Sequence, residues 1–263
     1  MPQTQHISVL LMAVVAFGCG ENQAPEVALA IPDESPAVAM ANPAAVAISD
    51  KYGAQVSEEI LRAGGNAVDA AIATGFSLAV TFIDAGNIGG GGFMLIHIDG
   101  ESAFLDYRET APSAGHKDMY LDENGDVIEN STLLGGQAAG VPGTVAGFWK
   151  AHQRYGSLPW EDLVAPAIKL AEEGFMPADV LVSDIHGMHD WFGETTNFND
   201  YFARIRVGEL FKQPELAETL KRIAASGADE FYSGETAKML VAQMGRSNGL
   251  ITAEDLENYE AIW

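Results

Sequence analysis

The 263 residues carry 37 Asp and Glu against 14 Lys and Arg, a formal net charge of −23, and 48% of them are hydrophobic. That composition supplies a sizeable core for one large domain or two small ones and excludes global disorder. The acidity argues against nucleic acid or any other polyanion as a partner, and an anionic small molecule would need a locally placed cation. A single cysteine, Cys19, excludes an intrachain disulfide.

The chain opens on an apolar run, Ile7 to Phe17. It is too short to cross a bilayer as a helix and reads as the hydrophobic region of an export signal. Ala16-Phe17-Gly18-Cys19 resembles a bacterial lipoprotein cleavage box, in which the cysteine is lipidated and attaches the protein to a membrane. The match is imperfect, with Ala16 where leucine is usual and no Lys or Arg in Met1 to His6. A plain secretion signal with an incidental cysteine is the other reading. Residues 1–19 are therefore read as signal peptide, and 20–40, rich in Pro, Ala and Glu, as a flexible tether. Residues 41–263 are the folded region, and the place expected for the protein is the periplasm or cell envelope.

Ser49 or Asp50 can cap a first helix carrying Val56, Ile60 and Leu61, ended by Gly64-Gly65. Asn66 caps a second, with Asp69 near the positive end of its dipole. This second helix is apolar on every side, from Ala67 through Val80, and such a helix is buried. Phe93 to Ile98 reads as a strand, Asp99-Gly100 as a two-residue hairpin turn, and Ala103 to Arg108 as the return strand. Both strands are mostly apolar, which predicts burial on both faces in a layered α/β sandwich.

Asp118 to Asn130 is turn-rich, with Asn124-Gly125 at a hairpin tip. Helices follow from Pro142 onward, over 159–173 with Pro159 at the start and Gly174 at the end, over Pro214 to Ala225 and over Thr236 to Met244. Residues 176–211 read as helix mixed with loop. Thr252 caps a short last helix, and Ala261-Ile262-Trp263 reads as the start of a strand. No internal repeat is present.

Two features carry chemistry. Gly86-Asn87-Ile88-Gly89-Gly90-Gly91-Gly92 runs into the first strand, and Arg108 stands at the exit of the second. The glycines are followed by no Lys-Ser or Lys-Thr and give no Gly-x-Gly-x-x-Gly register, so a phosphate or dinucleotide loop is excluded in favour of close backbone packing. Arg108 has two readings. One is an ion pair with Glu109 or another neighbouring acid, the other a guanidinium fork gripping a substrate carboxylate.

His186 and His189, beside Asp184 and Asp190, could make half a metal site but have no third ligand cluster, and read as surface or packing histidines. Asn130-Ser131-Thr132 is a glycosylation tripeptide of low specificity. A Gly-x-Ser-x-Gly elbow is absent, and Cys19, inside the signal, is not a plausible catalytic thiol. No metal or cofactor site is assigned, and no residue of this chain is assigned as catalytic.

Seven ordered blocks resemble the γ-glutamyltranspeptidase family. They are Leu61 to Ala71, Gly89 to Leu95, Asp106-Tyr107-Arg108-Glu109-Thr110-Ala111-Pro112, Val141 to Gly147, Lys169 to Phe175, Asp229 to Gly234, and Gly249 to Leu256. The resemblance implies the N-terminal-nucleophile hydrolase fold, an αββα sandwich, in an exported precursor that cleaves itself into a large and a small subunit. It implies that a threonine at the new N-terminus of the small subunit attacks the γ-glutamyl amide of glutathione or its conjugates. The threonine's own α-amine can act as base, so no cofactor is called for. By the same likeness Arg108 binds the α-carboxylate of the γ-glutamyl group.

The processing threonine of the family lies downstream of the block at 250–256, so these residues are expected to hold most of the large-subunit region, to need the small subunit as partner, and to be inactive alone. Thr195-Thr196 lies far from the family's processing point and cannot substitute. A related acylase, a poly-γ-glutamate-processing enzyme, or a split or degenerate subunit that only binds γ-glutamyl ligands are the alternatives. An incomplete sandwich should also leave a sheet edge and apolar faces uncovered.

Overall fold

A computed structural model of the protein describes residues 44–193 and 196–263. The expected signal peptide, the tether and Cys19 lie outside the described residues. Ten helices and one β-hairpin make up the described part.

Helix α1 (Lys51–Arg62) begins where the Asp50 side chain accepts the Gly53 N–H at 2.7 Å. Helix α2 (Ala67–Thr81) begins with a capping box between Asn66 and Asp69 and buries Ile72, Phe76 and Val80 completely. It is the centre of the molecule, packed against α1 on one side and against α4 (Trp160–Glu173) on the other. Phe76 meets Phe148 of α3 (Thr144–Tyr155) and Trp160 of α4 edge-on, at 5.2 and 5.4 Å between ring centroids. The Trp160 indole N–H then donates to the Ile223 carbonyl of α7 (Pro214–Ser226) at 3.0 Å, tying a third helix to the core.

The Asp69 carboxylate is fully buried and does more than complement the helix dipole. It accepts from the Asn66 N–H at 2.9 Å, from the Ser157 N–H at 3.0 Å, and from the Ser157 hydroxyl. The Asn66 amide donates in turn to the Tyr155 carbonyl at 2.6 Å. The start of α2 and the α3–α4 turn are thus one hydrogen-bonded unit.

Strands β1 (Phe93–Ile98) and β2 (Glu101–Asp106) pair antiparallel, Leu95 opposite Phe104. The turn Asp99-Gly100 has φ of 54° and 82°, the left-handed pair that a two-residue hairpin of matching twist requires. Because the turn closes directly onto Glu101, β2 starts two residues earlier than its apolar run suggested and ends at Asp106, so Arg108 lies beyond the strand. Helix α3 likewise starts at Thr144 rather than at Pro142, because the Gly143 and Thr144 N–H groups both donate to the Gly90 carbonyl.

The remaining helices are α5 (Asp179–Phe192), α6 (Phe198–Phe202), α8 (Ala228–Tyr232), α9 (Glu235–Arg246) and α10 (Ala253–Glu257). The Glu230 side chain joins α8 to α9. It accepts from the Thr236 N–H and hydroxyl at 3.0 and 2.9 Å and pairs with Arg222 at 3.0 Å. Burial works to raise its carboxyl, but donors from Thr236, Glu235 and Arg222 outweigh that and hold it below its ordinary 4.5.

The folded-state value is the lower one, so this stabilisation is complete above about pH 4.5 and is lost as pH falls through the folded-state value. Glu230→Gln is expected to lower the melting temperature at neutral pH and to make stability fall less steeply below pH 4.5. Equal acid slopes for the two proteins in thermal melts would refute this.

Candidate functional site

The hairpin has one covered face and one open face. Ile96 and Leu105 point into the core, with Met94 and Ile98 packed beside them. Phe93, Leu95 and Phe104 point the other way and are 52%, 76% and 52% exposed. The expected burial on both faces is therefore wrong for the described residues. The strands are apolar on both faces, but helices cover one of them only. Ile262 extends the open face, since it pairs antiparallel with Asp106 through hydrogen bonds of 2.7 and 2.8 Å and is 63% exposed. The strand-like reading of Ala261-Ile262-Trp263 is correct at that residue, and the expected uncovered apolar face is present.

Arg108 stands at the rim of this open face. Its guanidinium carbon lies 5.9 Å from the centre of the Phe93 ring, and its Nε lies 3.2 Å from Glu109 Oε2. The first reading of Arg108, an ion pair with Glu109, is thus observed. The contact falls at Nε, and among the described residues no hydrogen bond engages either terminal nitrogen. The side chain is 63% exposed. An arginine with a free two-pronged end is the group that takes a carboxylate through two parallel hydrogen bonds.

The glycine run explains how the chain reaches this point. The Gly92 N–H and carbonyl exchange hydrogen bonds with Tyr107 at 3.2 and 2.9 Å, carrying the ladder past the strands' ends. A Cβ on Gly91 would lie 2.5 Å from the Tyr107 oxygen and 2.7 Å from the Glu109 nitrogen. Only glycine lets the two backbones approach so closely. Close packing against the Arg108 segment is therefore the observed role at Gly91.

The other residues singled out from sequence do not gather here. His186 donates from Nε2 to the Ile205 carbonyl at 3.0 Å, and its ring meets that of His189. Among the described residues, no group of three His, Cys, Asp or Glu is arranged to hold a metal. Sequence reasoning missed Tyr259, whose hydroxyl donates to the Arg108 carbonyl at 2.8 Å from 151 residues away. No local pattern around a lone tyrosine could have shown that contact.

The family model of gamma-glutamyltranspeptidase matches residues 53–263. The chain belongs to the gamma-glutamyltranspeptidase family. A glutathione hydrolase proenzyme of Pseudomonas aeruginosa is 55% identical over 237 residues, covering 90% of this chain and 42% of that protein. The glutathione hydrolase proenzyme of Escherichia coli is 42% identical, covering 82% of this chain and 38% of its own length. Among solved structures, a gamma-glutamyltranspeptidase from Pseudomonas nitroreducens complexed with L-DON superposes with a TM-score of 0.82 at 58% identity, over 84% of this chain and 66% of that one.

The fold class is accordingly α/β, that of the N-terminal-nucleophile hydrolases, with the αββα sandwich incomplete among the described residues, which form one hairpin with helices on one of its faces. The chain spans about two fifths of the length of the curated relatives it matches, 42% and 38%, and those relatives are named as proenzymes.

Proposed function

We propose that these residues are the large-subunit region of an exported γ-glutamyltranspeptidase that cleaves glutathione and its conjugates. The observation that carries the reading is Arg108, a carboxylate-binding fork whose terminal nitrogens have no hydrogen-bond partner among the described residues, standing at the rim of an open apolar sheet face in a chain whose net charge of −23 repels anions elsewhere. In this reading Arg108 takes the α-carboxylate of the γ-glutamyl group. A small-subunit threonine outside these residues supplies the nucleophile, and the small subunit covers the open face of Phe93, Leu95, Phe104 and Ile262.

The threonine oxygen bonds to the γ-carbonyl carbon as the amide C–N bond breaks, and the hydroxyl proton passes to the leaving amine by way of the threonine's own amine. Water or an amino acid then attacks the γ-glutamyl ester, releasing glutamate or a new γ-glutamyl amide and restoring the threonine. The apolar run before Cys19 supports export, with lipidation of Cys19 as the proposed means of attachment to the cell envelope.

The test is release of p-nitroaniline from γ-glutamyl-p-nitroanilide. The 263-residue chain alone is expected to give no turnover, and the same residues joined to the remaining length found in their relatives are expected to turn over. Turnover by the chain alone would overturn the proposed division between the two parts. An inactive assembled protein would overturn the activity.

A further inference from the structure

We propose that Tyr259 and Asp106 are positioning residues that pin the Arg108 backbone from both sides and so aim its guanidinium. This inference rests on the reading of Arg108 as the carboxylate anchor.

The peptide groups flanking the Arg108 Cα each have one side-chain partner. The Arg108 N–H donates to Asp106 Oδ1 at 2.9 Å, and the Arg108 carbonyl accepts from the Tyr259 hydroxyl at 2.8 Å. Neither bond belongs to the sheet ladder, which has ended at Tyr107. Without them the residue carrying the fork would hang from the ladder on one side and from the Thr110–Val141 pair on the other.

Tyr259 is itself held from behind. Its ring stacks on Tyr232 at 5.6 Å with 11° between planes, and the Tyr232 hydroxyl donates to the Pro142 carbonyl at 2.8 Å. A Cβ on Gly143 would overlap both the Tyr107 carbonyl and the Tyr259 hydroxyl, so that position is shaped around this pair.

The tyrosine is also kept in its donor form. Burial and the nearby Asp106 and Glu109 carboxylates push its hydroxyl up to about 12, so it is protonated at neutral pH. Arginine is long, and a small shift at its Cα displaces the fork by a comparable distance. Misplacing a binding group by about 1 Å can cost up to about a hundredfold.

The experiment uses the assembled enzyme with γ-glutamyl-p-nitroanilide as donor and separates KM from kcat. Tyr259→Phe, which keeps the ring stack, is expected to raise KM by about 3- to 10-fold with kcat changed less than about twofold. Asp106→Ala is expected to do the same, and Asp106→Asn, which keeps an accepting oxygen, to recover most of the loss. In an Arg108→Ala background neither change should raise KM further.

A purely structural role would instead lower the melting temperature and the active fraction, hence kcat, and leave KM alone; that result overturns the proposal. If Tyr259→Phe does not fold, the Asp106 pair decides. If Arg108→Ala itself leaves KM unchanged, the anchor reading fails. If Arg108→Ala raises KM while Tyr259→Phe and Asp106→Ala do not, only the pins fail.

Discussion

Asp69→Ala is expected to lower the unfolding free energy of the chain by about 3 kcal/mol, the largest stability loss of any single polar substitution considered for this molecule. The carboxylate is fully buried and accepts two main-chain N–H groups and one hydroxyl from two separate segments. Its removal leaves the part-buried Asn66 and Ser157 N–H groups without their acceptor, at about 1–3 kcal/mol for each group kept from water. It also breaks the capping box of α2, the helix on which the core is built.

For a folded region of this size, about 3 kcal/mol corresponds to roughly 6–12 °C in melting temperature. Asp69→Asn should cost less, about 2 kcal/mol, because one oxygen remains to accept while the new amide group faces a donor. Ser157→Ala, which removes only the hydroxyl, should cost about 1 kcal/mol. Urea unfolding of the four proteins gives the order directly. An Asp69→Ala unfolding free energy within about 0.5 kcal/mol of wild type would mean that the site reorganises and the network around Asp69 contributes little.

Asp69 also shows where sequence reasoning stops. Its place at the start of α2 was legible, because Asn66 is an N-cap residue type and Asp69, three positions on, is an acid suited to the helix dipole, both local signals. The bond to Ser157 was not, because it depends on how the α3–α4 turn docks against α2, and nothing near residue 157 marks an acceptor 88 positions away. The same division holds across the molecule. The turn at Asp99-Gly100, the caps of α1, α2 and α10 and the stop at Gly174 are short-range, and each stands close to where the residues placed it.

The error on the hairpin has a different origin. Apolar residues on both faces of β1 and β2 say that both faces avoid water, but not what covers them. Leu95 and Phe104 are exposed among the described residues although their residue types fit an interior. In the functional reading the same residues become the floor against which the rest of the sandwich would lie. Arg108 was legible as a candidate because cations are scarce in the chain. Its support by Tyr259 was not, since that contact spans 151 residues of sequence.

Arg108→Ala is expected to reduce kcat/KM of the assembled enzyme for γ-glutamyl-p-nitroanilide by about 3 kcal/mol, or roughly a hundredfold or more. The loss is large because a desolvated carboxylate would lose both hydrogen bonds of a bidentate pair at once. Arg108→Lys keeps the charge but not the planar fork, and a tenfold loss is the order expected. The competing role, an ion pair with Glu109 at 63% and 34% side-chain exposure, contributes about 0–1 kcal/mol to stability and little to catalysis.

A substrate cycle separates the two. A 4-aminobutyryl anilide lacks the α-carboxylate but keeps the scissile amide and the amine. Wild type should handle it as poorly as Arg108→Ala does, because the group Arg108 would hold is gone. If Arg108→Ala slows both donors by the same factor, the arginine acts on something other than that carboxylate. If it slows neither, the ion pair with Glu109 is its whole role.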